Sequence, residues 1–488
     1  MTNQPREAAG LRNDTDIFGQ SWKSRRVVVI GLGRSGLAAA RLLCHIGCHV
    51  SATDASETTE LRTARESLVA LGVAEVELGG HSRRLIEQAE VVVVSPGVSE
   101  SADPIQWALE QHLPVFSEVE VAFRFCRSPV IAVTGTNGKS TAVTLLATLL
   151  NVSGRPAIAC GNVGIPYSSV INQLSPSTIA VVELSSFQLL WCHQFRPTIS
   201  VLLNIGTNHL DRHHDPQAYR AAKARLFQRQ TQSDWAVLNA LDPRVVALGE
   251  SLPVQRIWFG ENRSNLPAYR LAPETRQVLT DSAQAVLQVG RVIGIPDPLT
   301  WQVIRAFPGL EHRLEHVATI RGIHFVNDSK STTPDSLQFA LSQLPGALVV
   351  IMGGRDKGLN FAPLVDRLHG ETRLKGIVLI GEVRSRLRLL LNGSTVVQEA
   401  ATLEDAVQRA AACAGPGATV LFSPACASFD MFRDFEERGR VFKTVVHHLA
   451  ERPWGTEAGA GDHTLAAQTY PSSLTPRPSG GIPSHAPA

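Results

Sequence analysis

The chain has 488 residues, of which 44% are apolar and 18% charged, with a formal net charge of +2, as expected for a soluble globular protein of roughly three domains. The small net charge excludes a strong attraction for nucleic acid, and no apolar run approaches the ~20 residues of a membrane span. Because residues 1–22 lack a signal peptide's apolar core and the cysteines form no C-x-x-C pair, we expect a cytoplasmic protein.

The first predicted domain has the strand–turn–helix order of a dinucleotide-binding fold. After a flexible N-terminus over 1–22, the apolar run Arg26–Ile30 predicts a buried strand, and the glycine-rich turn Gly31–Gly36 leads into a helix. Asp54 ends the next strand, where such folds bind ribose. This pattern taken alone favours an NAD oxidoreductase, although the same turn serves any ligand at the strand ends. We expect a Rossmann-like domain over 23–126.

The second predicted domain, 127–307, contains the most informative segment of the chain. The apolar run Val130–Val133 predicts a strand, and the loop Thr134-Gly-Thr-Asn-Gly-Lys-Ser-Thr141 joins it to a helix. Such a loop directs backbone N–H groups toward a phosphate at the helix N-terminus. Lys139 is placed to reach the β- and γ-phosphates, and Ser140 to ligate Mg²⁺. The segment therefore predicts a nucleoside triphosphate bound with Mg²⁺.

Further polar residues follow strands of the same domain. Glu183 ends an apolar strand and is placed to hold Mg²⁺ beside the phosphate loop, the alternative being an ordinary acid near a helix N-terminus. His209 follows another strand and is a candidate metal ligand, although a lone histidine is more often structural. Lys223 lies on the next helix, where a solvated lysine is the usual outcome. Ligands bind at the strand ends of open α/β sheets, which favours the functional interpretation.

The third predicted domain, 308–452, alternates strands with helices and is expected to form a doubly wound sheet. Its strands are followed by polar segments at 327–330, 353–357 and 423–430. Segments of this kind at one sheet edge predict a shared site, in which Lys330, Lys357 and Ser428 hold an anionic substrate; ordinary turns are the alternative. Residues 453–488 are rich in Pro, Gly, Ser, Ala and Thr and predict a disordered tail.

Together these motifs resemble those of the Mur ligases. The phosphate loop resembles the family's ATP loop, and Cys160–Pro166 resembles its G-N-[IV]-G-x-P segment. The segments Glu183–Leu189 and Ser423–Asp430 resemble the form typical of the member that adds D-glutamate. The resemblance implies a three-domain α/β protein: a Rossmann-like N-terminal domain, a central P-loop ATP-binding domain and a C-terminal doubly wound domain. In that order they would bind a UDP-sugar peptide, ATP and an amino acid.

The resemblance also implies a reaction. It is the ATP-dependent ligation of D-glutamate to UDP-N-acetylmuramoyl-L-alanine through an acyl phosphate, in cytoplasmic peptidoglycan precursor synthesis. The implied cofactors are ATP and Mg²⁺, the implied partners are the two substrates, and we expect a monomer without nucleic-acid or membrane partners. Because a carboxylate is a poor acyl donor until ATP activates it, catalysis would rely on positioning and charge neutralisation.

The resemblance further assigns residues to each ligand. ATP would be bound by Gly135, Thr136, Asn137, Gly138, Lys139, Ser140, Thr141, Arg313 and Asp328. The UDP-sugar peptide would be bound by Arg34, Ser35, Asp54, Ser95, Gly97, Asn162 and His209. D-Glutamate would be bound by Lys330, Thr332, Lys357, Ser428 and Phe435. The catalytic residues would be Lys139, Glu183, His209 and Lys223. The metal would be held by Ser140, Glu183, His209 and, once carbamylated, Lys223.

The chain departs from the family pattern at two places. Asn208 precedes His209 where the family usually carries Asp, which removes a carboxylate near a second metal. The segment 279–284 replaces a G-x-H-N-x-x-N motif and puts Gln284 in the place of an ATP-contacting Asn. The alternatives are folylpolyglutamate synthase, another Mur ligase, and a nucleotide-binding protein that has lost ligase activity. The retained catalytic residues count against the last alternative.

Overall fold

The computed structural model describes residues 14–162, 164–206, 215–260, 276–356, 358–392 and 396–451, with the backbone alone for 276–280. Three sheets organise this part of the chain, and each lies inside one of the expected domain ranges. Helices separate almost all consecutive strands, so the protein is of the α/β class with three domains. The expected tail over 453–488 lies outside the described residues. No helix in the described ranges has the length and apolar character to cross a membrane.

The first domain is a parallel sheet with helices packed against it. Its strands are β1 (Arg26–Ile30), β2 (His49–Asp54), β3 (Glu75–Leu78), β4 (Val91–Val94) and β5 (Val115–Ser117). Its helices are α1 (Arg34–Ile46), α2 (Thr59–Ala70), α3 (Arg83–Glu87), α4 (Asp103–Glu110) and α5 (Glu118–Arg124). The strand order β3-β2-β1-β4-β5 reverses between β1 and β4. Ligands of such sheets bind at the carboxyl ends of the strands beside this reversal.

The segment 14–22 is packed against the first domain, contrary to the expectation of a flexible N-terminus. Trp22 is fully buried, and its Nε1 donates a hydrogen bond to Asp16 Oδ2 at 3.0 Å. Asp16 also pairs with Arg124 at 3.0 Å, and Arg124 pairs with Glu120 at 3.1 Å. The polar composition of residues 1–22 did not predict this packing, because a single buried tryptophan and one buried ion pair suffice to fix the segment. The folded part of the domain therefore begins earlier than expected.

The second domain is also a parallel sheet. Its strands are β6 (Val130–Thr134), β7 (Ala157–Gly161), β8 (Ile179–Glu183), β9 (Ile199–Leu202), β10 (Trp235–Asn239) and β11 (Gln255–Phe259). Its helices are α6 (Lys139–Val152), α7 (Tyr167–Val170), α8 (Ser186–Leu190), α9 (Pro216–Ala224), α10 (Pro243–Gly249), α11 (Arg276–Val292) and α12 (Asp297–Ala306). The strand order β11-β10-β9-β6-β8-β7 puts β6 inside the sheet, so the phosphate loop that follows β6 lies between the ends of β8 and β9.

The third domain is a mixed sheet. Its strands are β12 (Glu315–Ile320), β13 (Ile323–Asn327), β14 (Leu348–Gly353), β15 (Leu374–Ile380), β16 (Val397–Glu399) and β17 (Thr419–Phe422). Its helices are α13 (Pro334–Gln343), α14 (Ala362–His369), α15 (Arg384–Leu390), α16 (Leu403–Cys413) and α17 (Phe435–Glu451). The order is β12-β13-β17-β14-β15-β16, and the edge strand β12 is antiparallel to β13. A two-residue turn joins this pair through Arg321 and Gly322, both with positive φ, as hairpins of this twist require.

The apolar cores do not correspond one to one to the domains. One continuous cluster contains Val29 and Leu43 of the first domain together with Val182 and Leu202 of the second. In the third domain, Val350 and Ile351 are successive residues of β14 and belong to clusters on opposite faces of the sheet. Buried helices therefore cover both faces, as the doubly wound prediction required.

Candidate active site

The phosphate loop joins β6 to α6 and is held in place by a neighbouring segment. Lys139 Nζ donates to the carbonyl oxygens of Gly135 and Thr136 at 3.0 and 2.9 Å. Asn204, which follows β9, accepts at Oδ1 from the backbone N–H groups of Thr136 and Asn137 at 3.0 and 2.9 Å. The loop is thus preorganised without a ligand. The sequence analysis did not assign this supporting role to Asn204.

A group of cations surrounds the loop. Lys330, from the third domain, donates through Nζ to Ser140 Oγ at 3.3 Å. Burial lowers the pKa of Lys139, and burial followed by the charge of Arg313 lowers the pKa of Lys330 to about 8. Arg313 Nη1 is buried and has no hydrogen-bond partner among the described residues. None of these three cations has a carboxylate partner among the ion pairs of the described residues, and they lie next to the phosphate loop, so together they favour an anion there.

Glu183 provides the carboxylate of this site. It is 2% exposed, and its Oε1 accepts a hydrogen bond from Asn162 Nδ2 at 3.2 Å. Gly161 has a φ of 111°, and a Cβ there would lie 2.2 Å from the Glu183 carbonyl oxygen, so the approach of these two strands requires glycine. Glu183 and Ser140 line one cavity of about 360 Å³. Their carboxylate and hydroxyl oxygens are the hard ligands that suit Mg²⁺.

Lys223, on α9, is buried rather than solvated. It is 1% exposed, and its Nζ donates to the Gly135 carbonyl at 2.9 Å and lies 3.4 Å from Thr134 Oγ1. Burial and, next, the charge of Lys139 hold the pKa of Lys223 well below its ordinary value. Within the described ranges, no carboxylate forms an ion pair with Lys223 to offset this effect. The alternative that Lys223 is a solvated helix residue is therefore wrong, and its buried environment favours the neutral amine.

Asp328 contributes to the site mainly by holding neighbouring segments of the third domain in place. Its Oδ2 accepts from the hydroxyls of Ser331 and Ser423 at 2.5 and 2.8 Å, and its Oδ1 accepts from the Leu314 N–H at 3.1 Å. Burial raises the pKa of Asp328 to about 6 despite these hydrogen bonds. The carboxylate therefore joins three segments of the third domain and fixes the backbone next to Arg313. Both residues line a cavity of about 150 Å³ beside the phosphate loop.

A third cavity extends from the phosphate loop toward the third domain. It measures about 250 Å³, and its walls include Asp281 and Ser282 of α11 and Phe339 and Gln343 of α13. The Ser282 hydroxyl donates to a phosphate-loop carbonyl at 3.1 Å. Gln284 is buried on the same helix and does not line this cavity. The replacement of the ATP-contacting Asn by Gln284 therefore stays a prediction, and the helix residues that line this cavity are Asp281 and Ser282.

The residues expected to bind D-glutamate are only partly brought together. Lys330 and Phe435 line the 360 Å³ cavity between the second and third domains. Ser428 is 2% exposed and Thr332 half-buried, and neither lines that cavity. Lys357 lies outside the described residues. Lys330 thus adjoins the phosphate loop as well as the expected amino-acid site.

The first domain has the largest of these cavities, about 530 Å³, at the carboxyl edge of its sheet. It is lined by Arg34, Ser35, Asp54, Ser95, Gly97 and Asn162, the described residues expected to bind the UDP-sugar peptide. Asp54 Oδ2 accepts from the Leu32 N–H and Ser95 Oγ donates to the Gly31 carbonyl, each at 2.7 Å, so both side chains also shape the glycine-rich turn. Asn162 belongs to the second domain and donates to Glu183, so a residue of this cavity contacts the carboxylate beside the phosphate loop.

Comparison with known proteins identifies the three domains. The chain matches the MurD-like N-terminal domain of Mur ligases over 25–117, the Mur ligase middle domain over 133–290, and the Mur ligase glutamate ligase domain over 312–426. UDP-N-acetylmuramoylalanine–D-glutamate ligase of Desulfosudis oleivorans is 37% identical over 458 residues, which cover 88% of this chain and 97% of the relative. The chain belongs to the Mur ligase family. The ligase of the same name from Koribacter versatilis is 35% identical over 451 residues, covering 88% of this chain and 99% of the relative.

Solved Mur ligases share the fold. UDP-N-acetylmuramate-alanine ligase MurC from Thermotoga maritima superimposes with a TM-score of 0.54 at 17% identity, over 88% of this chain and all of that one. The MurF ligase from Thermotoga maritima, in complex with ADP, gives a TM-score of 0.55 at 16% identity, over 82% of this chain and 96% of that one. Membership in this family of ATP-dependent amide ligases overturns the NAD oxidoreductase alternative for the glycine-rich turn.

Part of the expected metal site of this Mur ligase cannot be placed. His209 and Asn208 lie outside the described residues. In the ranges that are described, no group of three or more His, Cys, Asp or Glu side chains forms a metal cluster. Of the residues expected to hold the metal, Glu183 and Ser140 line the same cavity.

Proposed function

We propose that this Mur ligase joins D-glutamate to UDP-N-acetylmuramoyl-L-alanine at the cost of ATP, as a cytoplasmic monomer in peptidoglycan precursor synthesis. The observation that carries the proposal is the convergence of Ser140, Glu183 and Lys330 on one cavity between two domains. Relatives named for this reaction align over nearly their whole length, which supports the choice of substrates.

The path of the first substrate follows from the cavities. Its UDP part would lie in the 530 Å³ cavity of the first domain, lined by Arg34, Ser35 and Ser95. Asn162 lines this cavity and donates to Glu183, which lines the 360 Å³ cavity next to the phosphate loop. The carboxylate of the L-alanyl group would therefore reach the triphosphate while the UDP part stays bound.

The cations of the site would act on the transferring phosphoryl group. Lys139, Lys330 and Arg313 would hold the triphosphate and offset its charge while a carboxylate oxygen of the substrate attacks the γ-phosphorus. The bond between that phosphorus and the ADP oxygen breaks, and an acyl phosphate forms. The amine of D-glutamate then attacks the acyl carbon, the bond to the phosphate oxygen breaks, and the amine loses a proton. Mg²⁺, when held by Ser140 and Glu183, would neutralise phosphate charge.

Lys223 would contribute as a carbamate. A lysine amine reacts with CO₂ only when it is neutral, and burial favours that form here. The new N–C bond replaces an N–H bond, the proton is lost to solvent, and the neutral amine becomes a carboxylate-like anion. Together with His209, this group is proposed to complete the metal site. Lys330 and Phe435, with Thr332, Lys357 and Ser428 from adjoining loops, are proposed to bind D-glutamate.

Phosphate release from ATP tests this function. We expect release only when UDP-N-acetylmuramoyl-L-alanine and D-glutamate are both present, and none with L-glutamate. Glu183→Gln should abolish release, whereas Glu250→Gln, at an exposed position of the same domain, should not. Equal release with L-glutamate would refute the proposed amino acid, and no release despite bound ATP would refute the ligase activity.

A further inference from the structure

Among the described residues, three carboxylates line the 360 Å³ cavity between the second and third domains: Glu183, Glu311 and Glu436. Two of them already have partners. Glu183 accepts from Asn162 and lies beside the phosphate loop, and Glu311 is more than half exposed and pairs with Lys443. Glu436 was not assigned a role from the sequence. Of the three, it is therefore the carboxylate to examine as a contact for the cationic part of a ligand.

Glu436 lies in the first turn of α17, and its two carboxylate oxygens have different surroundings. Oε1 lies 3.5 Å from Nη1 of Arg34, in the first domain. Oε2 is buried and has no hydrogen-bond partner among the described residues. The helix dipole favours a negative charge in a first turn, but it provides no donor for a buried oxygen. Burying a charged oxygen without a partner is unfavourable, and a cation that donates a hydrogen bond removes this cost.

The other charged groups of the cavity indicate which cation suits Glu436. Lys330, Arg440 and His312 line the same cavity and are able to donate to the carboxylates of an amino acid. Burial and, next, the charge of Arg313 lower the pKa of Lys330, whereas the charge of Glu436 acts in the opposite direction. Glu436 is therefore near the lysine that is proposed to bind D-glutamate. The part of D-glutamate that these cations repel, and that a carboxylate attracts, is its ammonium group.

We propose that Glu436 binds the ammonium group of D-glutamate and accepts a proton from it. An ammonium nitrogen has no lone pair, so this transfer precedes its attack on the acyl phosphate. The N–H bond breaks, the carboxylate becomes a carboxylic acid, and the freed lone pair forms a C–N bond to the acyl carbon. The bond from that carbon to the phosphate oxygen breaks, and a second proton leaves the nitrogen with the phosphate. The inference rests on the proposed function, which assigns the amino acid to this cavity.

Hydroxylamine in place of D-glutamate tests the proposal. Hydroxylamine is mostly neutral at neutral pH, so it attacks an acyl phosphate without a base and forms a hydroxamate. Glu436→Gln keeps the size of the side chain and removes its charge and basicity. The variant should lose about 10²-fold in kcat/KM for D-glutamate, whereas its hydroxamate formation should stay near that of the wild type. Glu437→Gln is the matched control and should change neither, because Glu437 pairs with Arg433 and does not line the cavity.

The ratio of wild-type to Glu436→Gln kcat/KM for D-glutamate, measured from neutral to alkaline pH, is a second measurement. The ratio should shrink as the pH rises, because more D-glutamate then carries a neutral amine. Other groups that titrate, such as Lys330, are present in both proteins and largely cancel.

Three results would overturn the proposal: wild-type kcat/KM in Glu436→Gln, an equal loss with D-glutamate and hydroxylamine, or a ratio that is independent of pH. If the wild type requires D-glutamate for phosphate release and one of these results is obtained, only this inference fails. If the wild type releases no phosphate with both substrates, the proposed function fails with it. If hydroxylamine is not a substrate of the wild type, the pH series alone decides.

Discussion

Lys330 of the third domain lies with its Nζ 3.3 Å from Ser140 Oγ of the phosphate loop. Lys330 was expected to bind the amino-acid substrate, yet its position allows it to contact the triphosphate as well. A second contact, between Arg34 and Glu436 at 3.5 Å, joins the first domain to the third. The site is therefore assembled from all three domains, and single substitutions at the junctions should affect catalysis more than folding.

Lys330→Met is expected to lower kcat about 10²- to 10³-fold, because it removes a buried charge that stabilises the transferring phosphoryl group. The fold should be retained, since methionine keeps most of the apolar stem. Lys375→Met, at an exposed position of β15, is the matched control. Steady-state phosphate release and far-UV circular dichroism of both variants provide the measurement. A Lys330→Met enzyme with wild-type kcat would show that the contact with Ser140 has no catalytic consequence.

Lys223→Met is expected to abolish activity and to change how stability depends on pH. The pKa of the buried amine lies well below its unfolded value of 10.5, so in the window between them the unfolded chain binds the extra proton. Stability of the wild type therefore rises with pH there, by up to about 1.4 kcal/mol per pH unit. Methionine does not titrate, so the stability of the variant lacks this dependence on pH.

Urea unfolding of both proteins at several pH values between 7 and about 10 measures that difference. The wild-type free energy of unfolding should increase relative to that of Lys223→Met across the series. Parallel pH profiles would mean that the amine titrates alike in the folded and unfolded chains, and would also remove the basis for its carbamylation.

Glu118→Gln is expected to stabilise the protein above neutral pH. Glu118 Oε1 accepts from the Ser168 N–H at 2.6 Å, while Oε2 is buried with no partner in the described residues. Burial raises the pKa of Glu118 from 4.5 to about 7. The raised pKa of Glu118 contributes to stability fully below about pH 4.5, and this contribution is lost as the pH rises through about 7. The free energy of unfolding should change by roughly 3 kcal/mol over this range.

Melting temperatures at about pH 5.5 and 8.5 test this prediction. The wild type should lose more stability between these values than Glu118→Gln does. Glu100→Gln, on the exposed surface of the same domain, should follow the wild type. Identical losses in all three proteins would show that Glu118 remains ionised throughout.

Asn204→Leu is expected to raise the KM for ATP about tenfold while kcat falls less. The amide oxygen accepts from two N–H groups of the phosphate loop, and its loss frees the loop to adopt conformations that do not bind phosphate. Titrating ATP at saturating levels of the other substrates gives both constants. Asn172→Leu, at an exposed position of the same domain, should leave them unchanged. A fall in kcat alone would contradict a role in preorganising the loop.

Local sequence patterns were sufficient for most of the fold. The apolar runs that predicted β1 and β6 are strands whose bounds agree with the prediction to within one residue, because buried parallel strands need continuous apolar residues. The edge strand β12 was missed, since its half-exposed residues lack such a run. The packing of residues 14–22 was missed as well, because the partners of Asp16 and Trp22 lie in distant parts of the chain.

The site was predictable where one segment carries the chemistry, and less so where distant segments meet. Lys139, Ser140 and Glu183 follow strands and could be located from the sequence. Asn204 supports a loop 67 residues earlier in the chain, and no local pattern reports such a contact.

The continuous apolar core of the first and second domains determines how the enzyme is able to move. Separating these domains would expose buried side chains such as Phe123 and Phe195, whose rings pack 5.1 Å apart across the junction, so the two domains should behave as one rigid body. The third domain has its own cores and reaches the others through polar side chains such as Lys330 and Glu436, whose contacts water replaces readily. We therefore expect substrates to enter by a rotation of the third domain rather than by separation of the first two, and the segment in which Gly309 follows α12 with a φ of 91° is where such a rotation should occur.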